Sequence, residues 1–154
     1  PEVLFLLVGD GATKPGLEAM AKRLQVENVR FLPMIPRDAY PSLLHASDLC
    51  LVPLVKSLTG QVPSKILSIM AAGRPMVASM NLEGEAPKII REAQCGICVE
   101  PEAPEKLAQA ILAFYRDPHR SQTFGENGRR YIEEHFSLNR CALVYEEIFT
   151  RVSR

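Results

Sequence analysis

Short apolar runs alternate with segments of helical periodicity along almost the whole chain. Five of these runs, residues 3–8, 29–32, 49–52, 75–79 and 96–99, have the length and composition of buried strands. Between them, apolar residues recur at helical spacing, as in Leu17, Met20, Ala21 and Leu24. Because strands separated by helices require crossover connections, the pattern predicts an α/β fold: a Rossmann-like parallel sheet with helices on both faces.

The length and charge of the chain limit its class. Its 154 residues correspond to about one domain, and 18 basic against 18 acidic residues give a net charge of zero. A neutral chain lacks the electrostatic footprint of a nucleic-acid binder, so we expect no nucleic-acid partner. Because the chain begins at Pro1 and enters an apolar run almost at once, we expect it to be a piece of a longer protein.

Four cysteines are present, and two of them, Cys95 and Cys98, have the spacing of redox and zinc sites. A zinc site would need a second pair, whereas Cys50 and Cys141 stand alone. The simpler interpretation is buried, reduced thiols in a reducing, cytosolic compartment, with redox or metal chemistry as the alternative. We predict no metal site.

Ligands of open parallel sheets bind at the carboxyl ends of the strands, so the loops there are the candidate sites. Gly9 follows the first strand, but residues 9–11 lack the spacing of a dinucleotide fingerprint and indicate a tight turn. Residues 59–65 lead into a helix that starts at Ser64, where unpaired N–H groups and the helix dipole suit a phosphate. Ser64 could donate its hydroxyl and Lys65 a positive charge; alternatively, Ser64 only caps the helix and Lys65 faces solvent.

Six motifs in order resemble one protein family. They are VGDG at 8–11, ENVRFL at 27–32, ASDL at 46–49 followed by Pro53, MAAGRPMVAS at 70–79, GICVEP at 96–101, and the closing helices around 117–118 and 135–137. This set resembles the C-terminal domain of retaining GT-B glycosyltransferases of family 4, or group 1. Within the family, residues 62–70 most resemble bacterial polysaccharide-assembly enzymes, including those of the colanic-acid type.

The resemblance implies a donor-binding domain. Such enzymes transfer a sugar from a nucleotide-diphosphate donor to a polysaccharide or lipid-linked acceptor with retention, and they need no metal or other cofactor. Residues 60–65 would hold the diphosphate and sugar, and Met34 and Ile35 would present backbone groups to the base. The full set of implied donor-binding residues is Gly9, Met34, Ile35, Gly60, Gln61, Val62, Pro63, Ser64, Lys65 and Ser68. The implied location is cytoplasmic, with peripheral association with the inner membrane as a further expectation.

Two departures from the family pattern carry expectations of their own. The family's two glutamates, eight positions apart, correspond here to Gly60 and Ser68, although a serine hydroxyl can still bond a ribose hydroxyl. Residues 1–154 also read as a single C-terminal domain truncated at its start, lacking a first strand that would lie between strands 3–8 and 49–52. Unpaired strand edges then predict an edge-paired or strand-exchanged dimer.

The missing N-terminal domain is the expected intramolecular partner. In this family it supplies the acceptor site and the polar catalytic residues, so no catalytic residue is assigned to this sequence, and the chain alone should transfer nothing. Two alternatives remain open at this stage. One is a GT-B domain of the nucleotide-sugar 2-epimerase kind, and the other is a non-catalytic Rossmann-like scaffold.

Overall fold

A computed structural model describes residues 2–56 and 62–152. The strands are β1 (Phe5–Val8), β2 (Val29–Leu32), β3 (Cys50–Pro53), β4 (Met76–Ser79) and β5 (Gly96–Val99). The helices are α1 (Lys14–Arg23), α2 (Tyr40–Ala46), α3 (Ser64–Ala71), α4 (Glu85–Glu92), α5 (Pro104–Arg116), α6 (Pro118–His135) and α7 (Leu138–Val152). The chain forms two compact units, Pro1–Pro41 and Ser42–Arg154.

The smaller unit is a β1–α1–β2 crossover. Its strands are parallel, in a register that pairs Phe5 with Val29 and Val8 with Leu32. Pro15 lies in the first turn of α1, where its missing N–H costs nothing. None of the residues of α1 is buried, and the helix and strands border a shallow apolar groove of about 240 Å³.

The larger unit holds the core around a parallel sheet of order β3-β4-β5. All four residues of the central strand β4 are buried, which explains its apolar sequence from Met76 to Ala78. The buried Ser79 hydroxyl donates to the carbonyl oxygen of Glu100 at 3.4 Å. The largest fully buried side chains come from α3, α4 and the three strands or their immediate flanks, namely Ile66, Met70, Met76, Ile90, Val52, Val77 and Cys95. These side chains fix α3 and α4 against the sheet.

The predicted fold class is confirmed: strands alternate with helices, and all three strand pairings are parallel. Among the described strands, β1 and β2 form a two-stranded sheet, and β3, β4 and β5 form a three-stranded sheet. A first strand absent from the domain remains a prediction.

The closing helices follow their capping residues. Asp117 precedes α6, and its carboxylate accepts the N–H of Arg120 at 2.9 Å. Ser137 precedes α7, and its hydroxyl oxygen accepts the N–H of Arg140 at 3.4 Å in the manner of an N-cap. Within the part of the chain that the structure describes, no helix is both long and apolar enough to cross a membrane.

Candidate functional site

The start of α3 is the candidate phosphate site of the larger unit. Pro63 holds the N-cap position in an extended conformation, with φ −61° and ψ 131°, and Ser64 begins the helix. Ile66, Ile69 and Met70 are buried and anchor the inner face of α3 in the core. The helix start is therefore held rigidly, as a preorganised binding site requires.

The exposed side of this helix start carries polar groups without a negative charge. Ser64 and Lys65 are exposed, and no acidic residue occurs in the first turn. The N–H of Ile66 donates to the Pro63 carbonyl oxygen at 3.0 Å, so the N–H groups that a ligand could use here are those of Ser64 and Lys65. The helix dipole makes this end positive. Val62 and Pro63 are half-buried beneath the helix start. The geometry suits an anion.

Ser68 lies one turn further along α3. Its hydroxyl donates to the carbonyl oxygen of Ser64 at 3.2 Å, so the structure brings these two predicted residues together. The side chain is half-buried, and its oxygen keeps acceptor capacity for a ligand hydroxyl. Gly60 and Gln61 lie outside the described residues.

The far end of α3 is held by Arg129, which lies on α6. The Arg129 guanidinium donates to the carbonyl oxygen of Ala71, at the carboxyl end of α3, and also to the Glu133 carboxylate. A cation at this end complements the helix dipole. Arg130 donates to the side-chain oxygen of Asn127 at 3.4 Å. Arg129 is therefore a structural residue that stabilises the candidate phosphate helix.

The carboxyl ends of β1 and β2 form a second candidate region, in the smaller unit. Gly9 follows β1 with φ +136°, a conformation that only glycine adopts without strain, and its N–H donates to the carbonyl oxygen of Leu32 at 3.2 Å. The Asp10 carboxylate accepts from the Lys14 ammonium and, through its other oxygen, from the Met34 N–H, both at 3.1 Å. These two hydrogen bonds, that of Lys14 first, hold the pKa of Asp10 below its usual value.

Met34 and Ile35 lie directly beyond β2, as predicted. Met34 is 66% exposed, whereas Ile35 is half-buried. Because Asp10 engages the N–H of Met34, the backbone groups left for a base are the Met34 carbonyl and the peptide groups of Ile35. Sequence reasoning missed Asp10 and Lys14; their only signal was an opposite-charge pair four residues apart.

Metal chemistry finds no support in the described ranges. Nowhere in residues 2–56 and 62–152 do three or more His, Cys, Asp or Glu side chains gather as a metal site would require. Cys50 and Cys95 are buried, Cys98 and Cys141 are half-buried, and all four are free thiols. The predicted burial is therefore confirmed for Cys50 and Cys95, whereas Cys98 and Cys141 are only half-buried.

Comparison with known proteins assigns the fold to a family. The family described as Glycosyl transferases group 1 matches residues 1–117. The chain is 30% identical over 134 residues to WcaI of Escherichia coli (strain K12), whose name assigns it to colanic acid biosynthesis as a glycosyl transferase; the match covers 86% of this chain and 33% of WcaI. It is 28% identical over 142 residues to a GDP-mannose-dependent monoacylated α-(1-6)-phosphatidylinositol monomannoside mannosyltransferase of Corynebacterium glutamicum, over 89% of this chain and 36% of that protein.

A solved structure has the same fold as this chain. Sucrose-phosphate synthase from Thermosynechococcus elongatus superimposes with a TM-score of 0.79 at 25% identity, over 96% of this chain and 38% of that chain. The chain thus spans about a third of the length of the curated relatives named above. With most of its length matched by the family description and its parallel α/β architecture shared, the chain belongs to the group 1 glycosyl transferases.

Proposed function

We propose that this chain is the donor-binding part of a retaining glycosyltransferase, which transfers a sugar from a nucleotide diphosphate to a polysaccharide or lipid-linked acceptor. One observation carries the proposal: a helix start with exposed Ser64 and Lys65, free of acidic residues, is mounted on a helix locked into the core. Such a helix start binds the diphosphate through N–H groups, a hydroxyl and an ammonium.

The N–H groups, hydroxyl and ammonium at the start of α3 would also assist the transfer of the sugar. When the sugar leaves, negative charge builds up on the nucleoside diphosphate, and donors already in place stabilise it without reorganisation. Because α3 is held by Ile66 and Met70 at one side and by Arg129 at its far end, its first turn stays fixed while that charge develops. No metal and no cofactor is required by this account, since the nucleotide sugar is itself the substrate.

The names of relatives support the substrate class. The corynebacterial mannosyltransferase is named for dependence on GDP-mannose and for a phosphatidylinositol mannoside, and WcaI is named for colanic acid biosynthesis. Both names fit a nucleotide-sugar donor and a lipid-linked or polymeric acceptor. We place the enzyme in the cytoplasm, in peripheral contact with the inner membrane where a lipid-linked acceptor would reside.

The remainder of the parent protein completes the enzyme in this proposal. Its N-terminal domain provides the acceptor site and the catalytic residues, and Met34 and Ile35 of this chain contact the base. The isolated chain therefore binds donor weakly and transfers nothing. Acceptor-dependent glycosylation by the isolated chain in a turnover assay with nucleotide sugars would contradict this division of labour.

The experiment is a calorimetric titration with UDP, GDP and ADP. We expect one of them to bind the wild-type chain, and Lys65→Met to weaken that binding about tenfold, as loss of one charge-assisted hydrogen bond would. The matched control is Lys88→Met, because Lys88 is also an exposed lysine but belongs to a different helix, α4. The control should bind like wild type.

Two results would overturn the proposal. Absence of binding for all three nucleotides would favour the scaffold alternative. Binding that Lys65→Met leaves unchanged would remove the start of α3 from the donor site, whatever the affinity of the wild-type chain.

A further inference from the structure

Lys14 makes an unusual set of contacts for a lysine beside a candidate nucleotide site. Its ammonium donates to the carbonyl oxygens of Gly9 and Leu32, both at 2.9 Å, and to the Asp10 carboxylate at 3.1 Å. An ammonium has three donors, so all of them are used. The side chain is only 22% exposed. Lys14 is therefore a cross-link between the carboxyl ends of β1 and β2, and has no donor left for a phosphate.

Asp10 connects Lys14 to the segment beyond β2. One carboxylate oxygen is held by Lys14, and the other accepts the N–H of Met34 at 3.1 Å. The contacts thus run in one series from α1 through the β1–α1 turn to Met34. Each member fixes the next.

The segment at residues 33–36 has little else to fix it. It contains no helix or strand, and Pro33 and Pro36 lack N–H groups that could anchor it. The Pro36 carbonyl accepts the N–H of Ala39 at 3.1 Å in the adjacent turn, and the Met34 N–H donates to Asp10, which ties the segment to the turn after β1. The Met34 carbonyl and the Ile35 peptide groups are the hydrogen-bonding groups such a segment can present to the edge of a heterocycle.

We infer that Lys14 and Asp10 are positioning residues that hold the backbone of Met34 and Ile35 in the conformation that binds the base of a nucleoside diphosphate. This inference rests on the proposed function and adds to it a pair of residues that determines base binding without touching the phosphates. If Lys14 and Asp10 had only a structural role, they would stabilise the smaller unit, and their substitution would not change the preference for a nucleotide over inorganic pyrophosphate.

The test compares a nucleoside diphosphate with inorganic pyrophosphate, which has no base. Calorimetry on the full chain would use whichever of UDP, GDP or ADP binds best. Lys14→Met should weaken nucleotide binding about tenfold and leave pyrophosphate binding unchanged, since the phosphates do not depend on this segment. The control is Lys22→Met, an exposed lysine of the same helix that lies in its last turn. Lys22→Met should match wild type for both ligands.

A second pair of variants keeps the inference testable if Lys14→Met fails to fold. Asp10→Ala removes the acceptor of the Met34 N–H and should lose nucleotide affinity. Asp10→Asn keeps one acceptor oxygen in place of two and should restore part of that affinity. Equal loss of nucleotide and pyrophosphate binding, or no rescue by Asp10→Asn, would overturn the inference. A wild-type chain that binds no nucleotide would instead defeat the proposed function on which the inference rests.

Discussion

At the scale of single residues, the thiols show how burial decides chemistry. Removal from water disfavours the thiolate and raises the pKa of Cys95 to about 12 and the pKa values of Cys50 and Cys98 to about 11. A thiol, unlike a thiolate, is a poor nucleophile and a poor metal ligand. Cys95 directly precedes β5 and Cys98 lies within it, so their spacing follows from their positions in the strand region. The raised pKa values of both thiols give no support to a redox role.

This burial predicts slow alkylation. In native protein at pH 8, Cys50 and Cys95 should remain unmodified by iodoacetamide, because both are buried and protonated at that pH. In guanidinium, where the thiols regain their ordinary pKa, both should react fully. Mass spectrometry of tryptic peptides measures the modification at each site. Rapid labelling of Cys95 in the folded chain would contradict the burial described here.

Ser68 gives a second prediction at this scale. Ser68→Ala should weaken nucleotide binding about fivefold, because one hydrogen bond of about 1 kcal/mol to the ribose is lost. Stability should hold or rise, since alanine favours the helix and the bond from Ser68 to the Ser64 carbonyl contributes little. Calorimetry with ribose and 2′-deoxy forms of the same nucleotide checks the assignment. An equal loss of affinity for the ribose and the 2′-deoxy nucleotide would show that Ser68 does not contact the 2′-hydroxyl.

At the scale of elements, the sequence predicted each strand to within two residues at either end, but it misjudged the inner face of α5. The apolar stripe Leu107, Ala108, Ile111, Leu112 and Tyr115 predicts that face, whereas the buried residues are Ala110, Ile111 and Phe114. Phe114 packs edge-on against Phe124 of α6, with ring centroids 5.4 Å apart. The helical periodicity of α5 was compatible with two overlapping apolar stripes. The contact between Phe114 and Phe124 of α6 determines which of the two stripes is buried.

The close approach of α6 to the turn after α3 is another feature that the periodicity of the sequence cannot show. A Cβ at Gly125 of α6 would lie 2.2 Å from the carbonyl oxygen of Gly73, so α6 meets the turn after α3 with no room for a side chain. Gly73 itself has φ +64°. The glycine in α6 therefore lets this helix pack against the turn that ends the candidate phosphate helix.

Gly125→Ala should consequently lower the free energy of unfolding by about 2 kcal/mol, because displacement of the backbone outweighs the gain of up to about 1 kcal/mol in helix propensity. Gly16→Ala in α1 is the matched control, because nothing lies within 4 Å of its added Cβ, and it should be neutral or stabilising. Urea denaturation measures both. A Gly125→Ala chain as stable as wild type would show that the two backbones are not in close contact.

At the scale of the whole molecule, alternation of strands and helices was enough to predict a parallel α/β fold, since few other topologies accommodate it. Individual hydrogen bonds between segments far apart in sequence were not predictable, as at Gly9, whose N–H donates to the carbonyl oxygen of Leu32. The same holds for Lys14, whose partners include Leu32, 18 residues away, and for Asp10 with Met34, 24 residues away. Contacts of that range are set by the assembled fold.

Among the described strands, the outer edges of β1 and β2 are both unpaired, which predicts self-association. β1 pairs only with β2 in the described sheet, and Leu4 and Leu6 are 57% and 46% exposed. We expect sedimentation velocity to show a concentration-dependent dimer formed through an edge-paired or exchanged strand. Leu6→Lys should shift the equilibrium toward monomer by placing a charge at the edge. A chain that is monomeric at every concentration would refute this expectation.

We propose that the start of α3 receives the diphosphate of a nucleotide donor, and nitrogen-15 NMR on a chain of 17.1 kDa tests this residue by residue. Titration with UDP, GDP and ADP should, for at least one nucleotide, shift the amide resonances of Ser64, Lys65 and Ile66 more than those at the start of α5. The start of α5 is a fitting reference because it also begins with a proline-led first turn. Saturating nucleotide that leaves the three α3 amides in place, while shifting resonances elsewhere, would contradict the account.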